Sequence, residues 1–386
     1  MAKKRVEKKQ KSYEAYKKPA ARIAVVGCAL GAGFLLASFV NLAFDVRAKA
    51  LEFSVQNPGG LTAYLRETII PQFAHTWFLT FLYLGILFCA LYFLYGKSEW
   101  KTYACSSLIT TSLFGFVRPS YELYHIAQAL KDNMVKITEA LASGEEPPSP
   151  TVKAYVIQTF LPSYLIQVAI VMVLLGVLLL AAYFLTDKEL ARKVGCAKIV
   201  VGGGLGFVGE VMTVYYLVPR IKNVMEIVSQ YIDAGQGGQI GFTSVEEFIG
   251  KQIVPLMLEN SALALFFLGA SLLSLYFIWE VLWGKSAGSL LLLCSGFLAA
   301  FRVFLTTAYQ SMSLGSEITK VKGALAGGQF IKVGWGGMEA EVSSMLGYFT
   351  RKFIPYYLDQ FSSFLFFVAA MILAFYVLRR KFIFNR

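Results

Sequence analysis

The chain has 386 residues, 56% hydrophobic and only 16% charged, with a formal net charge of +12. A soluble domain carries about 25% charged residues, and the apolar runs here are long enough to cross a hydrocarbon core of about 30 Å as helices. A soluble fold is therefore excluded, and so is a membrane β-barrel, whose strands would alternate in polarity.

Residues 1–22 hold nine Lys/Arg against Glu7 and Glu14. This basic arm is a topology signal, or a contact for anionic lipid or an acidic partner; nothing in the chain points to nucleic acid. The apolar run Ile23 to Phe44 is too long for the hydrophobic core of a signal peptide and reads as a retained first helix. Eight apolar segments follow one another at about 23–45, 73–95, 103–125, 163–186, 199–219, 256–283, 288–308 and 358–378.

A stretch from proline to tyrosine, 21 positions apart, occurs four times: Pro71 and Tyr92, Pro162 and Tyr183, Pro255 and Tyr276, Pro355 and Tyr376. Fourteen residues after each proline stands a small residue, Gly85, Gly176, Gly269 or Ala369. At helical periodicity the three markers share one face. The intervening segments carry Gly-Phe pairs, and Gly27xxxGly31 and Gly202xxxGly206 suggest close helix packing. The expected fold is all-α: eight transmembrane helices as four tandem, parallel two-helix hairpins with helical extracytoplasmic excursions, packed as an arc or a pseudo-fourfold ring. Its parts are the arm 1–22, then hairpins 23–96, 97–188, 189–284 and 285–386, the last ending in a short basic tail.

Three connections are short and basic, Gly96 to Lys101, Asp187 to Lys198 and Gly284 to Ala287, and four are long. With both termini and the short turns inside, the inner side holds 20 Lys/Arg and 6 Asp/Glu, as the positive-inside rule requires. This predicts a bacterial-type inner membrane with cytoplasmic termini. Aromatic pairs at the tyrosine markers, with Trp100, Trp279 and Trp283, form the expected inner aromatic belt. The excursions are predicted to break at Asn57 to Gly60, Gly144 to Pro150, Gly235 to Gly241 and Gly327 to Gly337, and then to return through a short helix, capped in one case at Thr243-Ser244. Each proline is expected to open its membrane helix, where a missing N–H costs nothing.

Chemistry-bearing residues are few. Glu210 falls near mid-membrane, where a carboxylate needs a partner, and Arg118 and Arg302 lie in the outer thirds of their segments. From there they snorkel outward or turn inward to Glu210. Polar residues just after the prolines, namely His75, Gln167, Glu259, Asn260, Asp359 and Gln360, either answer loop backbone and water or form a polar collar. The five cysteines and two histidines show no metal-ligand spacing, and no cofactor is expected. The charged excursions lack a threonine-glycine filter, which excludes a helix–pore loop–helix channel. The leading expectation is a non-enzymatic subunit or scaffold of a larger membrane assembly, with the bilayer and other membrane subunits as partners. The alternatives are a transporter or channel using Glu210 and the collar, and a quinone- or lipid-handling enzyme.

Overall fold

The computed structural model describes residues 2–56, 64–143, 156–235, 244–335 and 338–379. The predicted breaks at 57–60 and 144–150, and residues 236–241 of the third break, lie outside the described residues. The long helices are α1 (Ala2–Gln56), α2 (Ile70–Tyr95), α3 (Ser98–Gly115), α4 (Val117–Ser143), α5 (Leu161–Thr186), α6 (Glu189–Asp233), α7 (Val254–Trp279), α8 (Leu282–Ala326) and α9 (Ile354–Arg379). Among the described residues, seven helices are long and apolar enough to cross a membrane. The chain is an integral membrane protein.

The predicted third segment, 103–125, is not one of the seven. Its helix stops at Gly115 and restarts at Val117. Pro119 explains the position of the break: its ring crowds the carbonyl four residues back, at Gly115, and it offers no N–H to bond it. Upstream, Thr110, Thr111 and Ser112 return their hydroxyls to the carbonyls of Ser106, Ser107 and Leu108, which satisfies them inside the helix.

The four proline-led helices α2, α5, α7 and α9 are each 26 residues long, with the proline as second residue. Each follows directly on a five-residue π turn: Leu65–Ile69, Val156–Phe160, Ile249–Ile253 and Phe349–Phe353. The prolines thus stand in the first turn of their α-helices as expected, but that turn is not a free helix end. The backbone is already helical before them, and it widens by one residue to make room for a ring that would clash with an α-helical carbonyl. The N–H groups of Ile70, Val254 and Ile354 accordingly reach five residues back, to Leu65, Ile249 and Phe349.

At their other ends, α2, α5 and α7 run into two-residue turns, Gly96-Lys97, Asp187-Lys188 and Glu280-Val281. The first residue of each is left-handed, with φ of 70°, 53° and 56°. The N–H groups of Gly96 and Glu280 bond the carbonyls of the marker tyrosines, Tyr92 and Tyr276, at 2.8 Å, closing the helix end. Two boundaries therefore differ from the sequence reading. The third turn lies at Glu280-Val281 rather than Gly284 to Ala287, and the charged stretch after Lys188 is the first turns of α6, where Arg192 pairs with Glu189. Charge suggested a loop where an exposed helical turn suffices. Tyr95, Trp279 and Trp283 are exposed around these turns.

The described chain also contains a β-hairpin, Ile331–Trp335 paired antiparallel with Met338–Val342 in the register Ile331 to Val342. It stands where a glycine break was expected, so the fold is helical with one small hairpin. Glycines masked a period-two alternation, Ile331, Val333, Trp335 and Met338, Ala340, Val342. Ile331 and Val342 join Val321 and Tyr348 in one apolar cluster. The one-turn helices Val245–Phe248 and Met345–Tyr348 start at Ser244 and Ser344, whose hydroxyls accept from Glu247 and Gly347 N–H at 3.1 Å.

The chain forms two compact units: Met1–Arg118 with Phe184–Asp187 and Val303–Arg386, and Pro119–Tyr183 with Lys188–Arg302. These cut across the expected hairpin limits. In the first, α1 packs on both α2 and α9, and α2 on α3. Ala369 of α9 meets Ala21 and Ala24 of α1, and Ser362 donates to the Gly27 carbonyl at 2.9 Å. In the second, α6 packs on α7. Gly176 of α5 faces Gly195 and Ile199 of α6, and Gly269 of α7 faces Gly288 and Leu292 of α8. Backbones approach this closely only where side chains are nearly absent.

Candidate functional site

The polar residues of the second unit are positioned by the glycines of α6. Gly195, Gly202 and Gly209, seven residues apart, face α5, whereas Gly203 and Gly206 face Phe267 and Ser271 of α7. The two glycines of Gly202xxxGly206 thus serve different neighbours. Glu210 follows one turn after Gly206 and is 2% exposed. Among the described residues its Oε2 has no hydrogen-bond partner. The Gly209 flank is filled by Pro162, Leu165 and Ile166 of α5, which bring no charge to it.

On α7, Glu259 lies close enough for its charge to act on Glu210. It is itself engaged: its Oε2 accepts from Arg302 Nη2 of α8 at 2.7 Å. Ser295 prepares that pair by donating to the Ala262 carbonyl at 2.7 Å. Arg302 is two turns after Ser295 and Glu259 one turn before Ala262, so the first contact leaves the two backbones about 6 Å apart in height, a gap the long arginine side chain spans. Glu210 is buried, and of the partners weighed for it the arginines are not taken up. Arg302 turns to Glu259, and no ion pair of Glu210 occurs among the described residues.

Arg118 belongs to the first unit, where it is exposed beside the helix break and its charge reaches His75. His75 stacks on Phe78 with ring centroids 6.2 Å apart. Gln360 donates to Asp359 at 3.3 Å and accepts weakly from Thr306 at 3.5 Å. Asn260 bonds the Leu256 carbonyl of its own helix, and Gln167 is half-buried. The six collar residues thus fall three to each unit, His75, Asp359 and Gln360 in the first, Gln167, Glu259 and Asn260 in the second. Among them Asp359–Gln360 is a direct pair, while Glu259 engages α8 instead.

Sequence reading missed a second polar cluster. Glu317, late in α8, accepts from Tyr348 at 2.6 Å and Lys352 at 2.5 Å on one oxygen, and from Gln310 at 2.8 Å on the other. Tyr348 is 2% exposed. The signal was an aromatic seven residues before each marker proline, at Tyr64, Tyr155, Phe248 and Tyr348. Among the described residues no three His, Cys, Asp or Glu stand together as a metal site. Comparisons with protein-family models, curated proteins and solved structures find no match.

Proposed function

We propose that the protein is a non-enzymatic, multi-pass subunit or scaffold of a larger membrane assembly, offering its helical excursions to partners. The observation that carries this reading is the length and surface of α6. It has 45 residues, about 68 Å at 1.5 Å per residue, and so runs well beyond a core of about 30 Å. On its far end Val224, Ile227 and Tyr231 are 42%, 52% and 39% exposed, at spacings of three and four, and Val228 at the edge of the same face is buried. An apolar stripe on a helix outside lipid is a surface for another protein.

In this reading the chain is four tandem hairpins with eight spans, α3 and the start of α4 forming the interrupted one. Four features support it: the recurring π turn, the 26-residue helix, the left-handed two-residue turn, and the small marker residue facing an outgoing helix. The fourth marker, Ala369, meets α1. Both termini and the short turns lie in the cytoplasm of a cell with a bacterial-type inner membrane, and the basic arm meets anionic lipid or an acidic partner.

Gentle detergent extraction followed by mass measurement tests the proposal. Co-purification of defined membrane subunits, lost when Val224, Ile227 and Tyr231 are changed to Ser, is the expected result. A particle containing this chain alone, unchanged by those substitutions, refutes it. A second reading, movement of an ion or small solute, is favoured by one observation, the buried Glu210 carboxyl whose Oε2 lacks a partner among the described residues.

A further inference from the structure

We propose that Glu210, Glu259 and Arg302 form a proton-exchange site within the second unit, with Glu210 holding the exchangeable proton. The inference goes beyond the subunit reading and stands whether or not partners are found.

Three observations carry it. Glu210 is 2% exposed, on the α6 face that packs against α7. Its Oε2 has no hydrogen-bond partner among the described residues. Its charged neighbour on α7 is a second carboxylate, Glu259, which already holds the Arg302 guanidinium at 2.7 Å. Two carboxylates thus stand with one guanidinium, and of the two it is Glu259 that holds it. With both ionised the group carries a net negative charge, and the uncompensated carboxylate is the buried one, Glu210; with one proton bound the group is neutral.

The proton belongs to Glu210 because Glu259 has the ion pair and the greater exposure. Against this stretch of α6, α5 presents Pro162, Leu165 and Ile166, none of which titrates. α7 presents Glu259 and Phe267, and α8 reaches the group through Arg302. The step is a simple transfer. A proton from water forms an O–H bond on a Glu210 carboxylate oxygen, and its release returns the proton to water with no change of oxidation state. Arg302 stays on Glu259 in both states and keeps the second carboxylate charged. A protein that gains or loses one buried charge in this way is driven by pH, and proton binding or proton-coupled movement is the chemistry the site supports.

The full-length protein in nanodiscs is examined by infrared spectroscopy as the pH is stepped, in ordinary and in heavy water. The expected result is a carbonyl band of a protonated carboxyl that disappears as pH rises, shifts in heavy water, and is absent from Glu210→Gln. Dicyclohexylcarbodiimide, which reacts with protonated carboxyls in apolar surroundings, is expected to modify Glu210 in the wild type, by peptide mass. In Arg302→Gln it is expected to modify Glu259 as well, because that carboxylate has lost its cation. The proposal is overturned if no band depends on Glu210 at any pH, or if the band is present but never shifts in heavy water, which would mark a sealed structural proton. If Glu210→Gln fails to fold, the heavy-water shift and the carbodiimide reaction of the wild-type chain still decide.

Discussion

Gly203 and Gly204 are neighbours in one helix, yet the same substitution should act on them in opposite directions. A Cβ added at Gly203 would lie 2.5 Å from the Phe267 carbonyl oxygen and 2.8 Å from Ser271 Cβ, whereas at Gly204 nothing lies within 4 Å. Non-bonded atoms settle at about 3.5–4.0 Å, and the obstacle at Gly203 is backbone, so α6 and α7 must part by about 1 Å. Overpacking of this kind costs about 1–3 kcal/mol. The separation would also stretch the bond from Ser271 to the Val200 carbonyl, now 3.1 Å, worth about 0.5–1.5 kcal/mol. Without a hydrophobic drive between helices in lipid, little compensates. At Gly204 the change gains helix propensity, up to about 1 kcal/mol. Gly203→Ala should therefore fall about 2–4 kcal/mol below Gly204→Ala. The measurement is the temperature at which each purified variant loses its monodisperse gel-filtration peak. Equal temperatures, or a lower one for Gly204→Ala, would refute the packing argument.

Glu280 is left-handed at φ 56°, a conformation that costs an L-residue about 1–2 kcal/mol; Glu280→Gly should raise thermal stability and Gly96→Ala, at φ 70°, should lower it by about 1 kcal/mol, both read by the same thermal assay. Tyr348→Phe removes a hydrogen bond to a charged acceptor, worth about 1.5–3 kcal/mol; limited proteolysis should then cut faster near the 331–342 hairpin, and an unchanged pattern would count against the Glu317 cluster as its anchor. For topology, cysteines introduced at Ser143 and Gln236 should react with an impermeant reagent in intact cells; reaction only after permeabilisation would invert the assignment.

The membrane class and the positions of the proline-led helices were legible because both rest on long apolar runs and on proline, which leave strong marks in a sequence. The π turns were not, since no side-chain pattern separates a helix widened by one residue from an ordinary one; only the proline's steric demand selects it. The turn at Glu280-Val281 was hidden because glutamate is a poor candidate for a left-handed residue, and the hairpin at 331–342 because glycines obscured its alternation. Pairing of Arg302 with Glu259 was in reach, as both fall at the outer end of their segments, but mid-membrane Glu210 drew the arginines toward itself. The buried place of Glu210 traces to Gly203 and Gly206, which clear one face of α6 for α7. Tertiary packing alone could show that Gly202 and Gly206, four residues apart, look at different helices.

A π turn is an α-helix with one residue too many, and the widened turn absorbs that residue. Five residues spread over the wider turn sweep roughly the angle that four sweep in α geometry, so removing one from Phe349–Phe353 would let the segment close to α geometry with little net rotation of what precedes it. Tyr348 stands on the far side of that turn and Pro355 on the near side. Deleting a residue from the α-helical part of α9 between Pro355 and Arg379 would instead turn everything before it by about 100° and draw it in by about 1.5 Å. The π turn is therefore the one place in this helix where the chain can lose a residue and still present Tyr348 to Glu317.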